Sequence, residues 1–288
     1  MSKSLIHISD AAPAPGQRRT ITARRIRFVA EAPPGAKVLR SYSRPRPCVA
    51  LEEELDLAEL PPSDLWPEPF DQIVVVMVPS NALEGKIDEN WMSTPGHPQA
   101  AVTASSTCNA HKIQWRSGRA LIQGPVEGFA PILLALVDFA FYEGELRALE
   151  QALDKYEEQA ETDVARAHRI RIRDRGHWRR FAETIEELYR MRLSHARLES
   201  QVAAAERALP PAGREVMTRL NDESRLAARL EAFSDHLEAF EDLYEGANDR
   251  VTEHRWYLAS QWLELGIVLI LIIEVVLLAV GPYLWHLK

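Results

Sequence analysis

Two cysteines are all this chain of 288 residues has, Cys48 and Cys108. Two distant thiols do not make a disulfide-stapled secreted domain, and they do not complete a zinc module. Cys108 and His111 have a chelate-like spacing, but no second pair accompanies them, so no metal site and no cofactor are expected. There is no GxGxxG, phosphate loop, HExxH or GxSxG in the first 128 residues. His97, His111, Asp88 and Glu89 form no recognisable catalytic arrangement, so no catalytic residue is assigned and no enzyme is expected. The first residues, MSKSLIHISDAAPAPG, lack the apolar core of a secretory signal. The Arg-rich QRRTITARRIRF that follows has the composition of a mitochondrial transit peptide, but Ala-Pro-Ala-Pro makes a poor amphipathic helix. A polar tail leading into a basic strand is the simpler reading.

Charge is unevenly spread behind a formal net value of -8. From Arg18 to Arg46 the only acid is Glu31, while Glu52 to Glu68 contains no base. The net value therefore says little about partners. Apolar content is that of a soluble protein, which excludes a polytopic membrane protein.

The chain divides by composition. IVVVMV, Ile73 to Val78, is a short β-branched run ending at Pro79, and it predicts a strand buried on both faces. TITARRIRF alternates in part and puts Ile26 and Phe28 on one face. Ser117-Gly118 between HKIQWR and RALIQG predicts a hairpin. PPSDLWPEPF and STPGHP read as loops. After Gly128 glycine and proline become scarce, and Ala, Leu, Glu and Arg dominate, which is helical composition.

Three long helices are expected, over about 130–171, about 178–209, and from Gly213 onward into the end of the chain, with Pro210-Pro211 as the break. The third carries a heptad seam of Leu226, Leu230, Phe233, Leu237, Phe240, Tyr244, Ala247, Val251 and Leu258. The expected fold is α+β. A disordered tail over 1–20 leads into a mixed α/β or mostly β domain over 21–128. Long antiparallel helices or a coiled coil follow over 129–261, and a single transmembrane helix over 262–285.

That last segment contains QWLELGIVLILIIEVVLLAVGPYLWHLK. Leu265 to Leu284 is long enough to cross a hydrocarbon core of about 30 Å as a helix. Trp256, Tyr257 and Trp262 at one end, with Tyr283 and Trp285 at the other, fit interfacial anchoring. The expected topology is a tail anchor with the bulk of the chain in the cytosol or an equivalent compartment. Glu274 stands in the middle of the span. A central acid costs about 2.5–3.5 kcal/mol on insertion scales, and the many aliphatic neighbours outweigh it. A carboxyl in hydrocarbon needs a partner, and the central span offers no other polar side chain. Glu274, with Leu271, Leu278 and Gly281 on its face, is therefore expected to join copies of the chain into a homo-oligomer. The rival use of Glu274 is ion or proton conduction. This face lies about 100° round the helix from the extended seam, and a break at Gly246 or Gly266 would reconcile the two.

Residues 230–277, LEAFSDHLEAFEDLYEGANDRVTEHRWYLASQWLELGIVLILIIEVVL, resemble the carboxy-terminal region of the "required for meiotic nuclear division" family. Leu263-Glu264 and Ile273-Glu274-Val275 match its Arg/Leu-Glu pair and its Ile-Glu-Val within a terminal membrane helix. The resemblance implies a membrane-anchored, oligomeric protein without an assigned reaction. Mitochondrial members support translation of organelle-encoded membrane proteins, which implies a ribosome tether. For a bacterial relative it implies a scaffold at the cytoplasmic membrane, and the Ala/Arg/Leu-rich composition inclines towards that source. The mitochondrial inner membrane is the alternative.

RAHRIRIRDRGHWRR, Arg166 to Arg180, joins the first two helices. Arg169, Arg171, Arg173, Arg175, Arg179 and Arg180 form a solvated tip, or a contact for RNA, a ribosome, another membrane-proximal protein or anionic membrane lipid. If helices two and three retrace one another from Pro210-Pro211, the tip lies level with Gly246. That is about 24 Å short of Trp262 at 1.5 Å per residue, beyond the screening length of about 8 Å in physiological salt. On that geometry a macromolecular partner is favoured over lipid.

Overall fold

The computed structural model describes residues 21–57, 60, 71–80, 91–92, 103–108, 110–167 and 175–285. Within its helices, residues 158, 161, 164–167, 175–180, 251, 254–255 and 276–285 are described by backbone alone. The tail expected over 1–20 and the two proline-punctuated loops lie outside the described residues. The chain forms two compact units. The first takes the residues up to Ala148 together with Arg197–Leu230, and the second takes Leu149–Ala196 together with the chain from Glu231.

The first unit is built on a seven-stranded mixed sheet. Its strands are β1 (Thr22–Val29), β2 (Val38–Tyr42), β3 (Cys48–Leu55), β4 (Gln72–Pro79), β5 (Thr103–Cys108), β6 (His111–Arg116) and β7 (Arg119–Gly124). Their order is β2-β3-β1-β4-β7-β6-β5, and β4–β7 is the one parallel pair. Ile73 to Met77 of β4 are buried without alternation. The strand sits between β1 and β7 with apolar groups on both sides, which is why its sequence is a continuous run. Val74 and Val76 face Ala23, Leu121 and Trp91. On the opposite face Trp115 meets Phe139 edge-on at 4.7 Å, and Phe28 meets Phe141 at 5.7 Å. The hairpin between β6 and β7 turns at Ser117-Gly118, and Gly118 has φ +80°, which glycine adopts without steric cost.

The two charge blocks in the first third of the chain meet in part. β1 and β3 are antiparallel neighbours. Across them Arg24 pairs with Glu52 and Arg27 with Glu53, while Lys37 reaches Glu52 at 2.8 Å. The stretch that could be read as a transit peptide contributes β1 to the interior of the sheet.

The helices are α1 (Phe129–Ala167), α2 (Arg175–Ala208), α3 (Pro211–Glu223) and α4 (Leu226–Trp285). α1 starts where the composition changes, after a 3-10 turn at Val126–Gly128. Its third and fourth turns supply Phe139 and Phe141 to the sheet, and α3 packs on β5. A methyl group on Gly213 would stand 2.7 Å from the Pro131 carbonyl oxygen, so only glycine lets α3 approach α1 this closely.

One expectation fails here. The third long helix is two helices, because Ser224 caps α3 and Arg225 takes the left-handed conformation, φ +53°, before α4 begins. α4 runs through Gly246 and Gly266 without a break, so neither glycine makes the adjustment between the two faces.

The second unit is a bundle of three helix segments. Tyr244 of α4 is its centre. The phenol donates a hydrogen bond to Asp163 of α1 at 3.2 Å, and the ring lies against Phe181 of α2 at 6.1 Å. Arg192 of α2 binds Glu241 of α4 through two nitrogens, at 2.9 and 2.6 Å. His195 stacks on Phe233 at 5.2 Å. These pairs make α2 and α4 antiparallel. Of the expected seam, Phe233, Leu237, Tyr244 and Ala247 are buried in this unit and Phe240 is half-buried, while Leu226 and Leu230 are buried in the first unit.

Candidate membrane-anchoring site

Along α4 the burial stops while the apolar sequence continues. Tyr244 and Ala247 are the last described residues of the seam that are buried. From Trp256 to Val275 every residue is exposed apart from Leu258 and Gly266, which are half-buried. Trp256 is 74% and Trp262 73% exposed, as free as side chains on an isolated helix. This segment of 20 residues has a mean hydropathy of 1.9, and none of its apolar window is buried. At 1.5 Å per residue it is about 30 Å long, the thickness of a hydrocarbon core. A soluble core helix of that hydropathy would be covered. Among the described residues this is the one helix long and apolar enough to cross a membrane.

Leu271 and Glu274 are both exposed on this segment. Leu278, Gly281, Tyr283 and Trp285 continue the same helix, described by backbone alone. Because α4 is unbroken, the face of Glu274 stays about 100° from the seam, and Leu258 and Gly266 are the only places where the exposed stretch is partly covered.

The basic run is placed in part. Arg169, Arg171 and Arg173 lie outside the described residues, and Arg175, Arg179 and Arg180 occupy the first two turns of α2. The expected level of this end, opposite Gly246, is not what the contacts give. Counting back along α2 from the Phe181–Tyr244 pair puts Arg175 level with Arg250. Counting from the Arg192–Glu241 pair puts it level with Leu258. The reason is the break at Arg225. α3 leaves to pack on β5, so α4 does not retrace α2 from Pro211 onward.

The chelate-like pair resolves into packing. Cys108 and His111 face each other across β5 and β6. The His111 ring fills the space beside two glycines, and its Nε2 lies 2.7 Å from the Pro125 carbonyl, to which it donates. A methyl group on Gly128 would come within 2.2 Å of that ring. Burial pushes the Cys108 thiol up to about 11, helped by its hydrogen bond with Glu215. Among the described residues no three potential metal ligands come together.

A buried ionic cluster was missed. Asp138 of α1 is fully buried. It accepts two bonds from Arg40, at 3.0 and 2.8 Å, and one from the Tyr42 hydroxyl at 2.8 Å. Burial pushes its carboxyl above the ordinary value, against the pull of Arg40 and of the Tyr42 hydrogen bond. The sequence signal was an acid inside the apolar run PILLALVDFAFY, but nothing local names Arg40 as its partner.

No protein-family model matches the chain, and no curated protein does. Among solved structures it is similar to the CorA magnesium transporter from Methanocaldococcus jannaschii, at 8% identity, covering 85% of this chain and 81% of that one, TM-score 0.40. It is similar to the soluble domain of the same protein, at 8% identity, covering 80% and 96%, TM-score 0.36. It is also similar to the full-length CmaX protein, at 12% identity, covering 75% and 78%, TM-score 0.36.

Proposed function

We propose that this chain is a single-span membrane scaffold, which self-associates through the face of Glu274 and holds a macromolecular partner at the membrane surface. The exposed apolar length of α4, from Trp256 to Val275, carries the reading. That much naked apolar surface is stable in hydrocarbon and unfavourable in water at about 25 cal/mol per Å². Glu274 lies on it exposed, with nothing among the described residues covering it, so the carboxyl turns to another copy. A hydrogen bond between helices in lipid is worth about 0.6–2 kcal/mol. The sheet unit and the bundle are then the parts that meet a partner, an RNA, a ribosome or a protein, and no chemical step is part of the role.

Glu274→Leu tests this, because it lowers the insertion cost and removes the polar bond together. Full-length protein in a mild detergent should sediment as an oligomer, and the variant should dissociate at concentrations several-fold higher. An unchanged oligomer sinks the role of Glu274. Ion flux through liposomes that is abolished by Glu274→Gln while assembly persists would replace the scaffold with a conducting subunit.

A further inference from the structure

We infer that the amino-terminal turns of α2 dock on the anionic headgroups of the membrane that α4 enters, an inference that rests on the membrane reading of α4. The argument is positional. α2 begins at Arg175, and the pairs that fix its register place that residue level with α4 between Arg250 and Leu258. The exposed apolar segment opens within that interval, at Trp256. Measured to the same Trp262, the start of α2 stands about 6–18 Å short of it rather than about 24 Å. Arginines within about 8 Å of a charged surface escape most of the screening.

The charge in that layer has one sign in excess. α2 brings Arg175, Arg179 and Arg180 in its first two turns, and α4 brings Arg250 and Arg255 against Asp249 and Glu253. Clusters of this kind beside a membrane helix attract acidic lipids. The amino end of α2 adds the partial positive charge of its unpaired amide groups, which favours phosphate and carboxylate headgroups. Trp178, between the arginines, is a residue type that settles at the headgroup level. A flat anionic surface fits a cluster spread over two neighbouring helices, and it is continuous with the segment that enters the membrane.

The test uses the full chain in nanodiscs of phosphatidylcholine alone, and of phosphatidylcholine mixed with phosphatidylserine. Backbone amide exchange is read over residues 176–181. Three arginines near an acidic surface should slow it by roughly tenfold or more in the mixed discs. High salt and the combined variant R175Q/R179Q/R180Q should remove the difference. Arg190→Gln with Arg197→Gln, further along α2, should leave it. Equal exchange in both discs, with the protein incorporated, overturns the inference and leaves the anchor standing. Slowing by added RNA in phosphatidylcholine discs, without slowing by phosphatidylserine, also overturns it. Failure to enter either disc would overturn the membrane reading instead.

Discussion

Phe181 packs against Tyr244 with ring centroids 6.1 Å apart, and Tyr244 also donates its hydroxyl to Asp163. One fully buried phenol thus ties α1, α2 and α4 together and fixes the register of α2 along α4. Tyr244→Ala should destabilise the bundle by about 3–5 kcal/mol through the cavity it leaves. Tyr244→Phe keeps the ring and leaves the buried Asp163 short of a donor, which costs about 1–3 kcal/mol. Chemical denaturation of the full chain in detergent, followed by helical circular dichroism, gives both values. Equal losses for the two variants would mean that the ring contact with Phe181 contributes little.

The Asp138 cluster predicts strong coupling. Asp138→Ala removes the acceptor for both Arg40 and Tyr42 and should cost about 3–5 kcal/mol, the usual effect of breaking a buried ion pair. Arg40→Met leaves the carboxylate buried without its cation and should cost nearly as much. The double variant should cost clearly less than the two single losses together, since neither charge is then stranded. Additive losses in a double-mutant cycle would contradict the pairing seen at 2.8 and 3.0 Å.

Cys108 predicts an alkaline limb in stability. Its thiol is raised to about 11, and the ordinary value is 9.0. The native state therefore holds this proton more tightly than the unfolded chain. Stability from this group is complete below about pH 9 and is lost as pH rises through about 11. Denaturation midpoints between pH 8 and 11 should fall more steeply for the wild type than for Cys108→Ala. Parallel slopes would show that the thiol is not held protonated.

Much of this architecture was legible in local pattern. β4 announced itself because a strand covered on both faces needs no polar residue, and the β6–β7 turn because Ser117-Gly118 permits a positive φ. The exposed segment of α4 was legible because hydrocarbon selects length and hydropathy, both local properties. Long-range choices were not legible. Asp138 and Arg40 are separated by 98 positions, and either could have been a surface charge. The opposite charge of the Arg18–Arg46 and Glu52–Glu68 stretches was plain, but the pairing of Arg24 with Glu52 and of Arg27 with Glu53 needed the antiparallel register of β1 and β3. The break at Arg225 had no signal either, since arginine rarely adopts φ +53° and neither glycine nor proline stands there. Missing that break misplaced the start of α2 along α4.

The most direct test of the membrane anchor is partition of the full chain. After expression, membranes are pelleted without detergent, washed in alkaline carbonate, and floated in a density gradient. The chain should stay with the floated lipid through the carbonate wash, and deletion of residues 256–288 should release it in folded form. Recovery of the intact, folded chain in the first supernatant would contradict a membrane-embedded α4.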